Sequence, residues 1–268
     1  VAMQLPLLVF TDLDGTLIDH HSYSHAPARP ALDRLAQIGA GVVLASSKTA
    51  AEIAPLRTAL GLADWPAIAE NGAGLVAPGQ SGEGDDSAYR AIRAALASLP
   101  DGLRLPFRGF GDMDDAGVAE VTGLPVAQAR LARQRLASEP GIWSGSDDRL
   151  ADFLDALQNK GIAARRGGRF LTLSHGSSKS DRMAEIIADL RPGVTIALGD
   201  APNDIEMLEA ADHGVIVGNP DAPPLPPLQG EETGRIRRTR ESGPAGWNRA
   251  ILDLLSELSL SQEPAADG

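Results

Sequence analysis

The chain alternates short apolar runs with amphipathic segments, and this alternation predicts its secondary structure. Buried strands are predicted at residues 7–10, 41–45, 67–69, 195–198 and 214–217. Amphipathic helices are predicted at residues 30–38, 50–60, 180–190, 205–211 and 247–258. Because strands and helices follow one another in turn, the pattern predicts an α/β fold with a doubly wound, parallel, Rossmann-like sheet.

The middle of the chain breaks this alternation. Residues 78–87 (PGQSGEGDDS) are rich in turn formers and acids, which is typical of a linker. Beyond them we predict helices at residues 88–99, 117–123, 125–138 and 150–160, and a strand at 170–173. We therefore predict an inserted α/β cap domain at residues 83–172, between core segments 1–82 and 173–268. Residues 219–230, with five prolines, are predicted to be irregular, and residues 262–268 to be frayed.

Composition narrows the classes of partner. Hydrophobic residues make up 43% of the 268 positions and charged residues 22%, as in globular proteins. The net charge of −12 argues against a surface for nucleic acid or anionic membranes. No apolar stretch approaches the ~20 residues of a membrane span. Because no basic and apolar leader precedes the first strand, we expect a cytoplasmic protein. We also expect it to be a monomer or a homodimer. The sequence contains no cysteine, which excludes disulfides and thiolate chemistry.

Two aspartates follow the first predicted strand. Asp12 and Asp14 occupy positions i and i+2, so a regular strand would point both side chains to one face. The carboxyl end of such a strand is where open α/β sheets bind ligands. Two like charges so close are costly unless a cation compensates, and Mg²⁺ prefers carboxylate oxygens. The DLDGT segment therefore indicates a magnesium site, although an Asp-Gly turn after a strand also fits these residue types.

Reactive residue types stand at other element ends of the outer pattern. Ser46 follows the second strand, and Asp200 and Asp204 follow a later strand. Lys179 precedes the helix that returns the chain to the sheet. Because the carboxyl ends of parallel strands share one edge, we expect these groups to converge.

The converging residue types suit phosphoryl transfer, which needs a nucleophile, charge neutralisation and in-line geometry. Asp12 would form an aspartyl phosphate, and Asp14 would protonate the leaving alkoxide and then activate water. The predicted catalytic residues are Asp12, Asp14, Ser46 and Lys179, and the predicted Mg²⁺ ligands are Asp12, Asp14, Asp200 and Asp204.

Each of these residues also has an ordinary structural explanation. Ser46 could be a helix N-cap, Lys179 a solvated lysine, and the GDAPND segment at 199–204 a turn followed by a cap. Their joint occurrence at element ends, in this order, favours the catalytic interpretation.

The order of the motifs resembles the haloacid dehalogenase superfamily of Mg²⁺-dependent phosphatases. The four motifs that carry the resemblance are Asp12 with Asp14, Ser46, Lys179, and Asp200 with Asp204. The long insert between the second and third motifs, and the ENGA sequence at 70–73, are similar to the Cof-like subgroup, which has an α/β cap.

A narrower resemblance covers most of the chain. Segments similar to the mannosyl-3-phosphoglycerate phosphatases lie at residues 11–32, 46–49, 108–113, 122–124, 167–170 and 243–247. That family removes phosphate from a glycosyl-3-phosphoglycerate and leaves mannosylglycerate or its glucosyl analogue, a compatible solute. The resemblance implies a small phosphorylated sugar acid as the substrate. Ser180 departs from the family, which often has glycine after the motif lysine.

Recognition of a glycerate carboxylate would need donors and cations, and arginine binds carboxylates bidentately. The residues expected to contact substrate are Ser47, Lys48, Asn71, Asn203, His20, Arg108 and Arg169. A solvated surface role is the competing interpretation for the cationic side chains and for His20.

Three other functions fit the core motifs. The cap sets the substrate, so a phosphatase acting on hexose phosphates or flavin mononucleotide has the same motifs. A phosphotransferase of the phosphomannomutase type shares the aspartate pair. A signalling module would keep a stable phosphate on Asp12, but Asp14 argues against it, because an adjacent acid and base speeds hydrolysis of an aspartyl phosphate.

Overall fold

The computed structural model describes residues 5–260, so the fraying predicted for residues 262–268 lies outside the described residues. These residues form two compact units. The first unit contains residues 5–46, 65–67 and 179–260, and the second contains residues 47–64 and 68–178. The cap domain predicted at 83–172 lies within the second unit. Of the described helices, none is both long and apolar enough to cross a membrane.

The strands of the described residues form two sheets. They are β1 Leu7–Thr11, β2 Gly41–Ala45, β3 Ala67–Ala69, β4 Gly74–Val76, β5 Phe107–Gly109, β6 Ser138–Trp143, β7 Ala163–Gly167, β8 Phe170–Ser174, β9 Val194–Gly199, β10 His213–Gly218 and β11 Ile236–Ser242. The larger sheet has the order β11-β10-β9-β1-β2-β3-β4, and the smaller has the order β5-β6-β8-β7.

Helices connect these strands. The α-helices are α1 Arg29–Gln37, α2 Ala50–Leu60, α3 Ser87–Ala97, α4 Asp101–Arg104, α5 Asp115–Thr122, α6 Val126–Ala132, α7 Asp147–Gln158, α8 Lys179–Leu190, α9 Ile205–Ala210 and α10 Gly243–Glu257. Single turns of 3-10 helix lie at Ala26–Ala28, Glu70–Gly72, Phe110–Asp112 and Pro202–Asp204.

Parallel pairing places the strand ends of the first unit along one edge. β1 lies between β2 and β9, and its last residue, Thr11, is opposite Leu44 in β2 and Leu198 in β9. β10 is parallel to β9, and β11 is parallel to β10. With the second sheet, this arrangement confirms the predicted α/β fold class, and the carboxyl ends of these strands meet where such sheets bind ligands.

Local sequence explains why several elements begin and end where predicted. Every residue of β1 and β2 is buried, and apart from Thr11 at the end of β1 neither strand has a polar side chain. At the start of α2, the Thr49 side chain accepts from the backbone N–H of Glu52, whose carboxylate accepts from the N–H of Thr49. Gly61 ends that helix in the left-handed conformation, at φ 74°.

The second unit has its own antiparallel sheet and apolar core. β6 pairs with β5 and with β8, and β7 pairs with β8, all antiparallel. Along β8 buried residues alternate with partly exposed ones, as expected for a sheet with one covered face. The residues buried together in this core are Ile92, Leu96, Leu99, Phe107, Phe153, Leu157, Ile162, Leu171 and Leu173.

The prediction of a single helix at residues 125–138 is wrong. α6 ends at Ala132, and β6 begins at Ser138. The Glu70 carboxylate accepts hydrogen bonds from the backbone N–H groups of Leu136 and Ala137 and from the Ser138 hydroxyl. These donors bond a residue more than 60 positions away along the chain, so the helix pattern is interrupted by a long-range contact.

Five strands, β4, β5, β6, β7 and β11, escaped prediction, and two of them are rich in arginine. β7 has the sequence AARRG, and β11 has the sequence IRRTRES. Both are the last strands of their sheets, where charged side chains face solvent and discourage pairing with other chains. Their apolar content is too low for the hydrophobic pattern to detect them.

Candidate active site

Asp12 lies directly after β1, at the edge where the parallel strands end. Its backbone N–H donates to the carbonyl of Leu198 at 2.9 Å, which continues the pairing with β9 one residue beyond the strand. The residue is 7% exposed, so its carboxylate is nearly enclosed. The buried Trp247 of α10 donates from Nε1 to Thr11 Oγ1 at 3.0 Å and so supports this end of β1.

Lys179, the first residue of α8, is bonded to two aspartates. Its Nζ donates to Asp12 Oδ1 and to Asp204 Oδ1, both at 2.7 Å, and its side chain is 1% exposed. Burial alone would lower the pKa of Lys179, but attraction to the two carboxylates raises it above its ordinary value. Lys179 is therefore a buried cation.

Asp204 is bonded through both carboxylate oxygens. While Oδ1 accepts from Lys179, Oδ2 accepts from the backbone N–H groups of Asp200 and Ala201, each at 3.1 Å. A side chain at Gly199 would collide with Asp204, because a Cβ there would lie 2.5 Å from the Asp204 Cβ. Asp204 thus fixes the turn that leaves β9 and holds the lysine.

Asp200 is bonded by two neutral donors. Thr16 Oγ1 donates to Oδ1 at 2.8 Å, and Asn219 Nδ2 donates to Oδ2 at 2.7 Å. Sequence reasoning missed the contributions of Thr16 and Asn219. The signal for Asn219 was present, because it is a polar residue just beyond a predicted strand at the same edge as Asp12.

The oxygens of Asp12, Asp200 and Asp204 form a compact group with Lys179, which we call the carboxylate centre. One carboxylate oxygen from each aspartate lies within 4.8 Å of the others. Burial, opposed by Lys179 and reinforced by repulsion from Asp204 and Asp200, raises the pKa of Asp12 above its ordinary value. Burial likewise raises the pKa of Asp200. Both pKa values are raised mainly by burial, and repulsion between the neighbouring carboxylates adds to the effect.

A divalent cation fits this donor set. Three carboxylates face one lysine cation, and a hard ion that prefers oxygen ligands would relieve their repulsion. Lys179 donates to Oδ1 of the Asp12 carboxylate. The carboxylate centre could therefore hold a metal ion.

Asp14 and Ser46 lie in the same unit as the carboxylate centre. Ser46 is 1% exposed and follows β2 directly, beside β1. Asp14 is partly exposed and forms an isolated β-bridge with Ile18. Gly15, which follows Asp14 in the DLDGT turn, has a φ of 79°, and a Cβ there would lie 3.1 Å from Asp200 Oδ2. The DLDGT turn therefore packs directly against Asp200.

His20 and Asn203 are exposed. The His20 ring packs edge-on against His21 at a centroid distance of 5.4 Å, and His21 Nε2 lies 3.0 Å from Asp221. Asn203 lies in the 3-10 turn that precedes α9. Their predicted contact with substrate stays a prediction.

The other predicted substrate residues belong to the second unit. Ser47 is exposed, and Lys48 is partly buried, with its carbonyl accepting from the N–H of Glu70 at 2.9 Å. Asn71 follows Glu70 in a left-handed conformation, with a φ of 56°. Their roles in binding also stay predictions.

The two arginines of the predicted cap differ in their surroundings. Arg169 donates to the carbonyl of Thr122 at 3.1 Å, and its guanidinium lies 5.3 Å from the Phe170 ring centroid. Arg108 is exposed on β5. Of the two, Arg169 is already held by neighbours within its own unit.

A buried carboxylate cluster at the carboxyl edge of a parallel sheet defines the class of protein. Residues 9–83 and 146–223, more than half of the chain, match the family model of the haloacid dehalogenase-like hydrolases. The chain belongs to this family. The unmatched stretch between these two segments contains α3, α4, β5, α5, α6 and β6, which lie in the second unit.

Solved structures share the fold over nearly the whole chain. The sucrose-phosphatase from Synechocystis sp. PCC6803, in complex with sucrose and phosphate, is 17% identical with a TM-score of 0.58, over 96% of this chain and 99% of that one. A phosphatase of the same superfamily from Bacteroides thetaiotaomicron is 17% identical with a TM-score of 0.61, over 97% of each chain. A protein from Thermotoga maritima is 16% identical with a TM-score of 0.64, over 93% of this chain and 97% of that one. At these identities the likeness establishes the fold.

Proposed function

We propose that this protein is a Mg²⁺-dependent phosphatase that hydrolyses mannosyl-3-phosphoglycerate, or its glucosyl analogue, through an aspartyl phosphate. The observation that carries the phosphatase assignment is the carboxylate centre. Lys179 bonds one oxygen of Asp12 at 2.7 Å, which orients the carboxylate and leaves Oδ2 to attack a phosphorus atom.

The reaction would proceed in two steps. An Asp12 oxygen attacks phosphorus, the bond from phosphorus to the ester oxygen breaks, and Asp14 supplies the proton to the departing alkoxide. Asp14 then takes a proton from the water that attacks the aspartyl phosphate, and phosphate and free Asp12 result. Ser46 would donate a hydrogen bond to a phosphoryl oxygen.

Mg²⁺ would be held by Asp12 and Asp200, with Asp14 as a further predicted ligand. Asp204 would support the metal site indirectly, because its Oδ1 accepts from the Lys179 cation and its Oδ2 already accepts from two backbone N–H groups. When bound, the metal would offset the charge of the phosphoryl group.

The substrate class is supported by the sequence segments similar to the mannosyl-3-phosphoglycerate phosphatases. These segments lie in both units, at 11–32 and 243–247 in the first and at 108–113 and 167–170 in the second. The fold shared with a sucrose-phosphatase supports a phosphorylated sugar more generally. A Cof-like phosphatase of other specificity, or a phosphomannomutase-type phosphotransferase, is the alternative.

Phosphate release from a panel of esters tests the proposal. The panel contains mannosyl- and glucosyl-3-phosphoglycerate, mannose 6-phosphate, sucrose 6-phosphate and flavin mononucleotide, each with Mg²⁺ and after chelation. We expect kcat/KM for a glycosyl-3-phosphoglycerate to exceed that for mannose 6-phosphate at least about tenfold, because unmet donors for the carboxylate are costly.

The outcomes separate the levels of the proposal. Equal kcat/KM values for mannose 6-phosphate and a glycosyl-3-phosphoglycerate would reject the proposed substrate but would still agree with phosphatase activity. Transfer of phosphate to an added sugar, rather than to water, would favour the phosphotransferase. Full activity after exhaustive chelation would reject the metal requirement.

A further inference from the structure

Asn219 makes a direct contact with the carboxylate centre that none of the predicted catalytic roles includes. It follows β10, which is parallel to β9 with Ile216 opposite Gly199. Its Nδ2 donates to Asp200 Oδ2 at 2.7 Å. The bond joins neighbouring strand ends at the edge where Asp12 lies.

The orientation of the Asn219 amide is fixed by the backbone. Its Oδ1 accepts from the N–H of Asp221 at 2.9 Å. With the amide oxygen engaged there, the NH₂ group faces Asp200. The opposite orientation would place an amide oxygen against a carboxylate oxygen and would lose both hydrogen bonds.

Close packing also restricts where the Asn219 side chain can lie. A Cβ at Gly15 would come within 2.7 Å of Asn219 Nδ2. The glycine of the DLDGT turn therefore makes room for this amide beside Asp200. Gly15 has a φ of 79°, so the turn geometry and the amide position depend on the same residue.

The two donors on Asp200 differ from those on the other aspartates. Asp12 and Asp204 both bond the cation Lys179, whereas Asp200 is bonded by the hydroxyl of Thr16 and the amide of Asn219. Neutral donors hold the carboxylate in place without cancelling its charge. Each Asp200 oxygen accepts one such bond and keeps a lone pair for another partner.

We propose that Asn219 is a positioning residue that orients the Asp200 carboxylate for Mg²⁺, an inference that rests on the proposed metal dependence. Neighbours that hydrogen-bond a metal ligand fix its orientation, and their loss typically weakens metal binding about 10–100-fold. The same loss is expected when Asn219 is replaced by alanine.

The experiment measures Mg²⁺ binding to the substrate-free protein by isothermal titration calorimetry. We expect Asn219→Ala to raise the Kd for Mg²⁺ at least about tenfold. Asn219→Ser retains a small polar residue suited to the turn but is too short to reach Asp200, so we expect the same loss. Asn159→Ala, at the exposed end of α7, is the matched control and should leave the Kd unchanged.

Kinetics separate positioning from a general structural effect. In Asn219→Ala the Mg²⁺ concentration for half-maximal rate should rise at least about tenfold, while KM for the phosphorylated substrate at saturating Mg²⁺ stays unchanged. The metal-free melting temperatures of parent and variants should agree within a few degrees.

Three results would overturn the inference. If either folded variant bound Mg²⁺ with a Kd within twofold of the parent's, the role of Asn219 would be rejected, while the proposed metal dependence would stand. A rise in KM without a change in Kd for Mg²⁺ would place Asn219 in substrate binding instead. A parent that binds no Mg²⁺ would reject both the inference and the proposed metal dependence.

Discussion

Two clusters of charged side chains within residues 5–260 differ in the balance between cations and anions. In the first unit, the carboxylate centre contains three aspartates and one lysine, and the lysine bonds two of the aspartates. In the second unit, a cluster that we call the arginine network contains Arg93, Arg104, Asp112 and Glu139. The network has two cations and two anions, and Arg93 bonds both acids.

The difference in balance indicates a difference in role. A balanced set satisfies its own charges and requires no ligand, whereas surplus buried carboxylates favour binding of a cation. The arginine network instead shapes the turn at 109–112. Glu139 accepts from the N–H of Gly111 and from the Tyr89 hydroxyl, and a Cβ at Gly111 would lie 2.5 Å from that hydroxyl oxygen.

Replacing the nucleophile should produce the largest effect. Asp12→Asn keeps the shape of the side chain but removes the attacking carboxylate, so we expect kcat for phosphate release to fall at least about 10⁴-fold. The same change in the balanced cluster, Asp112→Asn, is the matched control and should leave kcat nearly unchanged. Comparable turnover by Asp12→Asn and the parent would reject the assignment of Asp12.

The acid and base should come next. Asp14→Asn removes the group that protonates the leaving alkoxide and activates water, and such a loss typically costs about 10²–10⁴-fold in rate. Rapid quench should show both slower formation and slower decay of phospho-Asp12. If only decay slowed, Asp14 would serve as the base and another group as the acid.

Removing the lysine should destabilise the first unit. Lys179→Met leaves enclosed carboxylates without their cation, and breaking a buried ion pair in this way costs about 3 kcal/mol of the free energy of unfolding. Urea unfolding of the metal-free variant should show this loss, and Mg²⁺ should restore part of it. The exposed Lys160→Met is the control, and equal urea midpoints for both variants would contradict the prediction.

The arginine network should give the smallest effect, and one that depends on pH. Burial would raise the pKa of Asp112, but hydrogen bonds from Arg93 and Arg104 outweigh it and lower that pKa to about 2. Because the pKa of Asp112 is lower in the folded protein than in the unfolded chain, where it is ~4, the charged carboxylate stabilises the fold above about pH 4. This stabilisation is lost as the pH falls toward 2.

Asp112→Asn should therefore lower the free energy of unfolding at pH 7 by about 1 kcal/mol, a modest value because the group is partly exposed. The difference between parent and variant should shrink as pH falls through this range. A difference that stayed constant from pH 7 to pH 2 would show that the Asp112 charge contributes nothing.

Elements with local causes could be predicted from the sequence. Residues 41–45, 50–60 and 67–69 were predicted with the bounds that the structure shows. Apolar runs mark buried parallel strands, and the cap at Thr49 and the left-handed Gly61 lie within or beside the helix that they delimit. The motif aspartates could be predicted as a group because parallel strands end at one edge.

Elements with distant causes were decided by the tertiary structure. The end of α6 depends on Glu70, 66 residues from Leu136, and the orientation of Asp200 depends on Thr16, 184 residues away. The balance of each charged cluster likewise depends on partners from separate elements, such as Arg93 and Glu139, 46 residues apart. Sequence patterns carry local propensity and burial, whereas these contacts form only when the chain closes long loops, so their partners are chosen by packing.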